Sequence, residues 1–390
     1  MANYPDSPLP HSIAQRTAFL AALGGLIALA IGIGIGRFVY TPILPVMVAG
    51  LGLSKLNAGL IASANFAGYL AGALLASSSG LPGTRRFWLL AGMTGSAATT
   101  LAMACVHTMT AFVVLRFAGG TASAFVLVFA SALLLDFMAS RGRPGLNALL
   151  FAGVGIGIAV SAVLVSILNA MAQSWETLWF ASGLLSALGA LIATWMIPAE
   201  DSASLSKRGT GALAIDRRLF SLILAYGLFG FGYIITATFL VALVRQNPGI
   251  RPLEPVIWIV FGLAAAPSVA LWNWLAKRQG IPRAFALAAL VEAAGVAASV
   301  AWPTYTGMLA AGICVGGTFM GLTALGLMRG RELAQGDPRQ VFALMTSAFG
   351  LGQILGPSFA GFAFDHLHSF TVPSLAAAAT LAIAAALVLI

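Results

Sequence analysis

The sequence predicts an all-α integral membrane protein: twelve transmembrane helices arranged as two six-helix bundles related by a parallel pseudo-two-fold repeat. Three observations carry this expectation. The 390-residue chain is 60% hydrophobic and 8% charged, where a soluble domain carries about 25% charged residues; water cannot solvate such a surface, and lipid is its natural solvent. Apolar stretches of spanning length recur along the whole chain between short polar breaks. Small-residue patterns of the first half return in the second at a nearly constant offset.

Taken in order, residues 1–16 are polar and contain proline, which suits a short cytoplasmic tail. The first apolar run is too long for the core of a cleaved signal peptide and leads straight into further spans. The spans follow at 17–45, 56–78, 86–106, 109–135, 145–170 and 176–197, then 219–244, 254–275, 283–301, 304–328, 340–364 and 370–390. A spanning helix needs about 20 apolar residues. Lipid offers no partner to a backbone amide, so each run should be helical. The longest polar break, Ala199–Arg218, sets Glu200, Asp201, Lys207 and Arg208 among Ser and Gly. It reads as a flexible linker at 199–218, between an N-terminal bundle at 1–198 and a C-terminal bundle at 219–390.

Basic residues orient the spans. With the N-terminus in the cytoplasm, fifteen of the twenty Lys and Arg fall on cytoplasmic segments: Arg16; Arg85 and Arg86; Arg141 and Arg143; Lys207, Arg208, Arg217 and Arg218; Lys277, Arg278 and Arg283; Arg329, Arg331 and Arg339. Only Lys55, Arg245 and Arg251 fall outside. This positive-inside bias places both termini in the cytoplasm, as in a multi-pass protein of a bacterial inner membrane. It also accounts for the net charge of +9 without nucleic acid.

The repeat is visible in register. Gly119-Gly120-Thr121 in span 4 returns as Gly316-Gly317-Thr318 in span 10, 197 residues on, and Gly153 and Gly155 in span 5 return as Gly350 and Gly352. Gly83 and Arg86 match Gly280 and Arg283, and Gly34 and Gly36 match Gly230 and Gly232. Six helices per unit means that both units enter the membrane in the same sense. Gly32, Gly34 and Gly36, and likewise Gly153, Gly155 and Gly157, are expected to let backbones approach closely. Pro42, Pro45, Pro267 and Pro357 are expected to kink their helices.

Three strings carry a family resemblance: Gly34-Ile-Gly-Arg-Phe-Val-Tyr-Thr-Pro-Ile-Leu-Pro45, Asn65-Phe-Ala-Gly-Tyr-Leu-Ala-Gly72, and Phe349-Gly-Leu-Gly-Gln-Ile-Leu-Gly-Pro357. Together they resemble the YbfB/YjiJ group of the major facilitator superfamily, over nearly the whole chain. The resemblance implies two bundles that rock about a central site. Of the superfamily pattern in the 2–3 loop, Gly83, Arg85 and Arg86 are present, while Ala76 and Gly80 stand where Gly and Asp are expected. The span 4 pattern of Arg followed four residues later by Gly is kept as Arg116 and Gly120. In proton-coupled exporters that arginine is tied to substrate or proton coupling.

Charged and polar residues inside spans are the candidates for function, because lipid makes them costly. Arg37 lies past the midpoint of span 1, where it suits a cavity-facing role or snorkelling to the outer interface, and Tyr40 and Thr41 share its face at helical spacing. Arg116 lies in span 4, where it suits a stabiliser of carbonyls between helices or a place near the interface as well as a role in substrate or proton coupling. Neither arginine has an acid within the membrane core of its own half, so an anion is the expected partner. Asn65 and Tyr69 on span 2, Tyr226 and Tyr233 on span 7, and Gln353 on span 11 complete the expected substrate site. Each of these equally suits a helix-to-helix bond. Glu292, the only acid deep in a span, suits a proton carrier or a protonated structural residue. Arg85 and Arg86 with Asp136, and Arg283 with Glu332, are expected to pair as a cytoplasmic gate. Trp258 is expected at the membrane interface. Asp365, His366 and His368 are expected in an exposed outer loop.

Cys105 and Cys314 have no metal or disulfide spacing and are expected as buried, inert thiols. No GxxxxGK[ST] loop occurs, so ATP is not the expected energy source. No intramembrane HExxH or Ser/His pair suggests an enzyme. The sequence thus predicts a monomeric secondary transporter in contact with lipid, using no cofactor or metal. Its expected cargo is a small organic anion, with protons as the coupling ion and efflux of amphipathic compounds as the alternative.

Overall fold

The computed structural model describes residues 11–78, 81–199, 215–334 and 338–390; most of the expected linker at 199–218 lies outside them. The described chain is helical throughout. The rods are α1 (Thr17–Leu51), α2 (Lys55–Ala76), α3 (Arg85–Cys105), α4 (Met109–Ser140), α5 (Asn147–Ala170) and α6 (Trp175–Met196), followed by α7 (Arg217–Gln246), α8 (Arg251–Ala265 and Ser268–Gln279), α9 (Ile281–Ala301), α10 (Tyr305–Leu333), α11 (Gln340–Leu367) and α12 (Thr371–Leu387). Ten are long and apolar enough to cross a membrane, and the two-piece α8, bent by 41°, makes eleven. The apolar α12 is shorter, so length alone does not reach the expected twelve spans.

Local chemistry starts many of these helices. Ser54, Thr84, Thr108, Ser174, Asp216 and Thr304 each accept a bond from the backbone N–H three residues on, satisfying a donor that the first helical turn leaves unpaired. The outer surface is apolar: Trp195, Leu191, Phe220, Leu263 and Leu355 are all exposed, as a lipid-facing belt requires.

Glycines decide how closely the rods approach. Gly34 of α1 faces Gly157 of α5 with no room for a side chain on either, and Gly155 of α5 meets Gly262 of α8 in the same way. The repeated Gly-Gly-Thr string brings helices together in both halves, through its second glycine in one and its first in the other: Gly120 of α4 lies on the Asn65 carbonyl of α2, and Gly316 of α10 lies on the Phe261 carbonyl of α8.

The helix ends bearing Arg85, Arg141, Lys277 and Arg329 form one face, here the basic face. The bonds joining α1–α6 to α7–α12 among the described residues lie at mid-depth or towards the opposite face. There Asp365 at the end of α11 accepts from the backbone N–H groups of Lys55 and Leu56, at 3.1 and 3.0 Å. It caps the start of α2 from the other half. Ser63 of α2 donates to the Ile354 carbonyl of α11 at 2.6 Å. Thr41 donates to the Ala237 carbonyl of α7 at 2.7 Å, and Ser166 of α5 to the Pro255 carbonyl of α8 at 2.8 Å.

Three expectations are corrected. Cys105 is exposed, because it lies in the last turn of α3 rather than among packed helices. Trp258 is 1% exposed and stacks on Phe261 at 4.4 Å; α8 runs between the halves, so a residue near its end is still interior. Asp365 is the α2 cap just described rather than part of a free loop.

Candidate substrate site between the two halves

The site begins with a fault in α1. Residues Ala30–Ile35 form a π-turn, residues 36–39 a turn, and regular α-helix resumes at Tyr40. A π-turn leaves backbone groups out of the i→i−4 ladder and is common at functional sites. Pro42 adds to the break, because it has no N–H for the Phe38 carbonyl. The Thr41 N–H bonds Phe38 instead, at 3.2 Å, which leaves the Arg37 carbonyl without its usual helical donor. Arg116 of α4 fills this gap: Nη1 donates to the Gly36 carbonyl and Nη2 to the Arg37 carbonyl, each at 2.9 Å. Asn65 Nδ2 in turn donates to the Arg116 carbonyl at 2.9 Å. The polar groups that α1 frees are thus met by α4, and α4 is met by α2.

Arg116 therefore takes the first of its readings, the stabiliser of carbonyls between helices, in place of a direct substrate contact. Both its terminal nitrogens are taken up by α1, and its guanidinium carbon sits 5.2 Å from the Tyr40 ring and 5.8 Å from Trp179. Tyr40 differs from its expected place. The fault changes the helical phase, and Tyr40 no longer shares a face with Arg37. The Tyr40 hydroxyl donates to the Ala58 carbonyl at 2.9 Å, and Thr41 goes to α7. Asn65 and Tyr69 part company as well, Asn65 towards Arg116 and Tyr69 towards Arg37.

Arg37 itself points between the halves and is 6% exposed. Its guanidinium carbon lies 4.0 Å from the centroid of Tyr69 and 5.1 Å from that of Phe66. Nη2 donates to Gln353 Oε1 of α11 at 3.3 Å, and Nε is buried without a partner. No carboxylate among the described residues pairs with it. Gln353 passes the link on, since its Nε2 donates to the Tyr233 hydroxyl of α7.

Tyr233 belongs to a bank of near-parallel rings. It lies 5.7 Å from Phe319 at 10° and 5.9 Å from Phe349 at 8°. Tyr226 stacks on Phe349 at 5.0 Å and donates to the Thr323 carbonyl at 3.1 Å. Arg37, Tyr69, Tyr233, Tyr226 and Gln353 are thus brought into one cluster. The sequence reading missed Phe319 and Phe349; the signal was present for Phe349, four residues before Gln353 on one face of α11.

Glu292 of α9 stands apart, fully buried against α10. Its Oε1 is 3.1 Å from Thr318 Oγ1, and Oε2 has no partner. At the basic face, Arg85 and Asp136 pair at 2.9 Å, and Arg85 also donates to the Ala132 carbonyl. Arg86 reaches the Thr194 carbonyl at 3.2 Å. In the second half Glu332 pairs with Arg329 at 2.9 Å, one turn away on its own helix, in place of the expected Arg283.

A helical bundle with lipid-facing flanks and a charged, ring-lined cluster between two halves defines a multi-pass membrane transporter. Residues 29–389 match the family described as uncharacterised MFS-type transporter YbfB, and the chain belongs to that family of the major facilitator superfamily. Among solved structures it is similar to a mutant of the nucleoside transporter NupG. The TM-score is 0.73 at 16% identity, over 95% of this chain and 99% of that one. It is also similar to a bacterial homologue of the human lysosomal transporter Spinster, in an inward-facing and occupied conformation. There the TM-score is 0.67 at 17% identity, over 96% of both chains. No curated protein matches. Identities this low speak for the fold alone. Family and fold together make the chain a secondary transporter.

Proposed function

We propose that this transporter moves a small organic anion across a bacterial inner membrane by alternating access, coupled to protons, with both termini in the cytoplasm. The observation that carries the anion is Arg37. A buried guanidinium held by one long bond to a neutral amide and by ring faces lacks a counter-ion, and such a charge costs several kcal/mol. A carboxylate or sulfonate supplies the missing charge and matches the planar fork bidentately. Arg116, one helix behind, adds positive potential to the same region.

The orientation rests on the positive-inside distribution of Lys and Arg. In that orientation the bonded opposite face is the periplasmic one, so this is a state closed to the outside. Proton coupling rests on Glu292. Thr318 has one hydroxyl hydrogen, and its shortest contact is the Cys314 carbonyl at 2.6 Å. The contact with Glu292 is then best satisfied by a carboxylic acid that itself donates.

The ring bank favours a second reading, efflux of amphipathic compounds by proton antiport. The two part over Arg37, which attracts anions and repels cations. Binding of one organic acid and one lipophilic cation to the purified wild type and to Arg37→Ala separates them. Removing one partner of a desolvated charge pair costs about 2–5 kcal/mol, so acid affinity should fall at least tens-fold while the protein stays folded. Equal acid affinity in both proteins would end the anion reading.

A further inference from the structure

We infer that the anion is an aromatic one: a flat ring carrying a carboxylate, its charge on Arg37 and its ring against the Tyr233 bank. The inference rests on the anion reading above and adds the shape of the rest of the molecule.

Three features point to it. The first is distance in bonds. Arg37 reaches Tyr233 through a single side chain, Gln353, whose oxygen accepts from the guanidinium and whose nitrogen donates to the phenol. A group that displaces Gln353 from Arg37 therefore arrives beside the Tyr233 ring. The second is orientation. Phe319 and Phe349 lie within 10° and 8° of the Tyr233 plane, and Phe229 stacks on Tyr233 at 5.2 Å and 27°. Offset stacking is one of the arrangements that aromatic pairs favour, and a further flat ring extends such a stack at its edge where a puckered ring does not. The third is place. Phe349 precedes Gln353 by one turn of α11 and stacks on Tyr233, and Tyr69 covers the Arg37 guanidinium that Gln353 meets, so the bank borders the central cluster.

The charge site then has two uses for aromatic surface. Tyr69 and Phe66 hold the guanidinium by its face, which leaves its edge nitrogens for the carboxylate. Tyr233, Phe319 and Phe349 take the ring that the carboxylate carries.

The test compares benzoate with cyclohexanecarboxylate by calorimetric titration of the purified full chain. The two acids share charge and nearly share size, and the saturated one is the more apolar. A merely greasy site prefers cyclohexanecarboxylate; a stack of aligned rings prefers benzoate, by about tenfold. Phe349→Leu keeps apolar volume and removes one plane. It should bring benzoate down to the saturated acid, whose unchanged affinity in that variant shows that the protein is folded. Arg37→Gln should weaken both acids together. Equal or tighter binding of cyclohexanecarboxylate by the wild type overturns the inference and leaves the anion reading standing. Loss of neither acid in Arg37→Gln, or binding of neither by the wild type while the lipophilic cation binds, overturns both.

Discussion

Replacing Arg116 with methionine removes five guanidinium donors and keeps an unbranched stem in a tight space. The structure assigns Arg116 two bonds, to the carbonyls of Gly36 and Arg37, and neither carbonyl has another partner in the α1 ladder. Interhelical hydrogen bonds in membrane proteins average about 0.6 kcal/mol and reach about 1.7. Two of them give about 1–3 kcal/mol, and their carbonyls face no water once the donor is gone. The expected result is a loss of about 1–3 kcal/mol in the unfolding free energy measured by SDS titration of the purified protein. Anion affinity should also fall, because the backbone of Arg37 is no longer held in place. Arg116→Lys keeps one donor group and should recover part of both. A substrate-contacting arginine gives a different pattern, with anion affinity lost and stability kept. That outcome, or wild-type values for both, would refute the staple reasoning.

Two further changes probe coupling. Asp365→Asn keeps the shape of the trans-cap on α2 and removes its charge, which favours the positive helix start. That charge is worth about 0.3–1 kcal/mol, so the ratio of states should move about two- to five-fold towards opening at that face. The rate of labelling of Ser63→Cys, in a Cys105→Ser background, by a membrane-impermeant thiol reagent reads this directly; a rate unaffected by Asp365→Asn would show that the cap does not bias the gate. Glu292→Gln retains a donor for Thr318 and removes the ionisable group, so transport in proteoliposomes should lose its dependence on a pH gradient. A variant that still follows the gradient removes Glu292 as the carrier.

The rods were legible in the sequence because lipid imposes two crude demands, apolarity and length, and both can be read residue by residue. Their ends were less so. Span 4 was expected to stop at 135 and continues to Ser140, since a helix need not end where the hydrocarbon does. The fault in α1 was harder. Gly32, Gly34 and Gly36 carried a packing signal, and Pro42 signalled a kink, but the break is completed by Arg116, 79 residues away from Arg37. No local pattern records that approach, and without it the helical spacing of Arg37, Tyr40 and Thr41 implied a face shared by all three, which Tyr40 leaves for α2. Arg37 and Gln353 were legible for the opposite reason: a charge and an amide in the middle of apolar runs need partners whatever the geometry.

The bonds between the halves bear on how such a protein can alternate. Thr41, Lys55, Leu56, Ser63 and Ser166 each contribute a hydrogen bond near mid-depth or the opposite face. Opening there admits water, which replaces each lost partner, so each is worth only about 0.5–1.5 kcal/mol and the set about 2.5–7.5. Among the described residues, the ion pairs Arg85–Asp136 and Arg329–Glu332 at the basic face lie within single halves, and exposed pairs contribute about 0–1 kcal/mol each. They cannot offset the set alone, and two access states must lie within a few kcal/mol to exchange. The Arg37–Gln353 bond offers a way to narrow the gap, because it is the one polar link between the halves that a bound anion would replace. An anion taking the place of Gln353 on Arg37 would free α11 from α1 at mid-depth and neutralise the charge that stood between them. Occupancy would then loosen the halves at the point about which they must rock, and an empty site would hold them together.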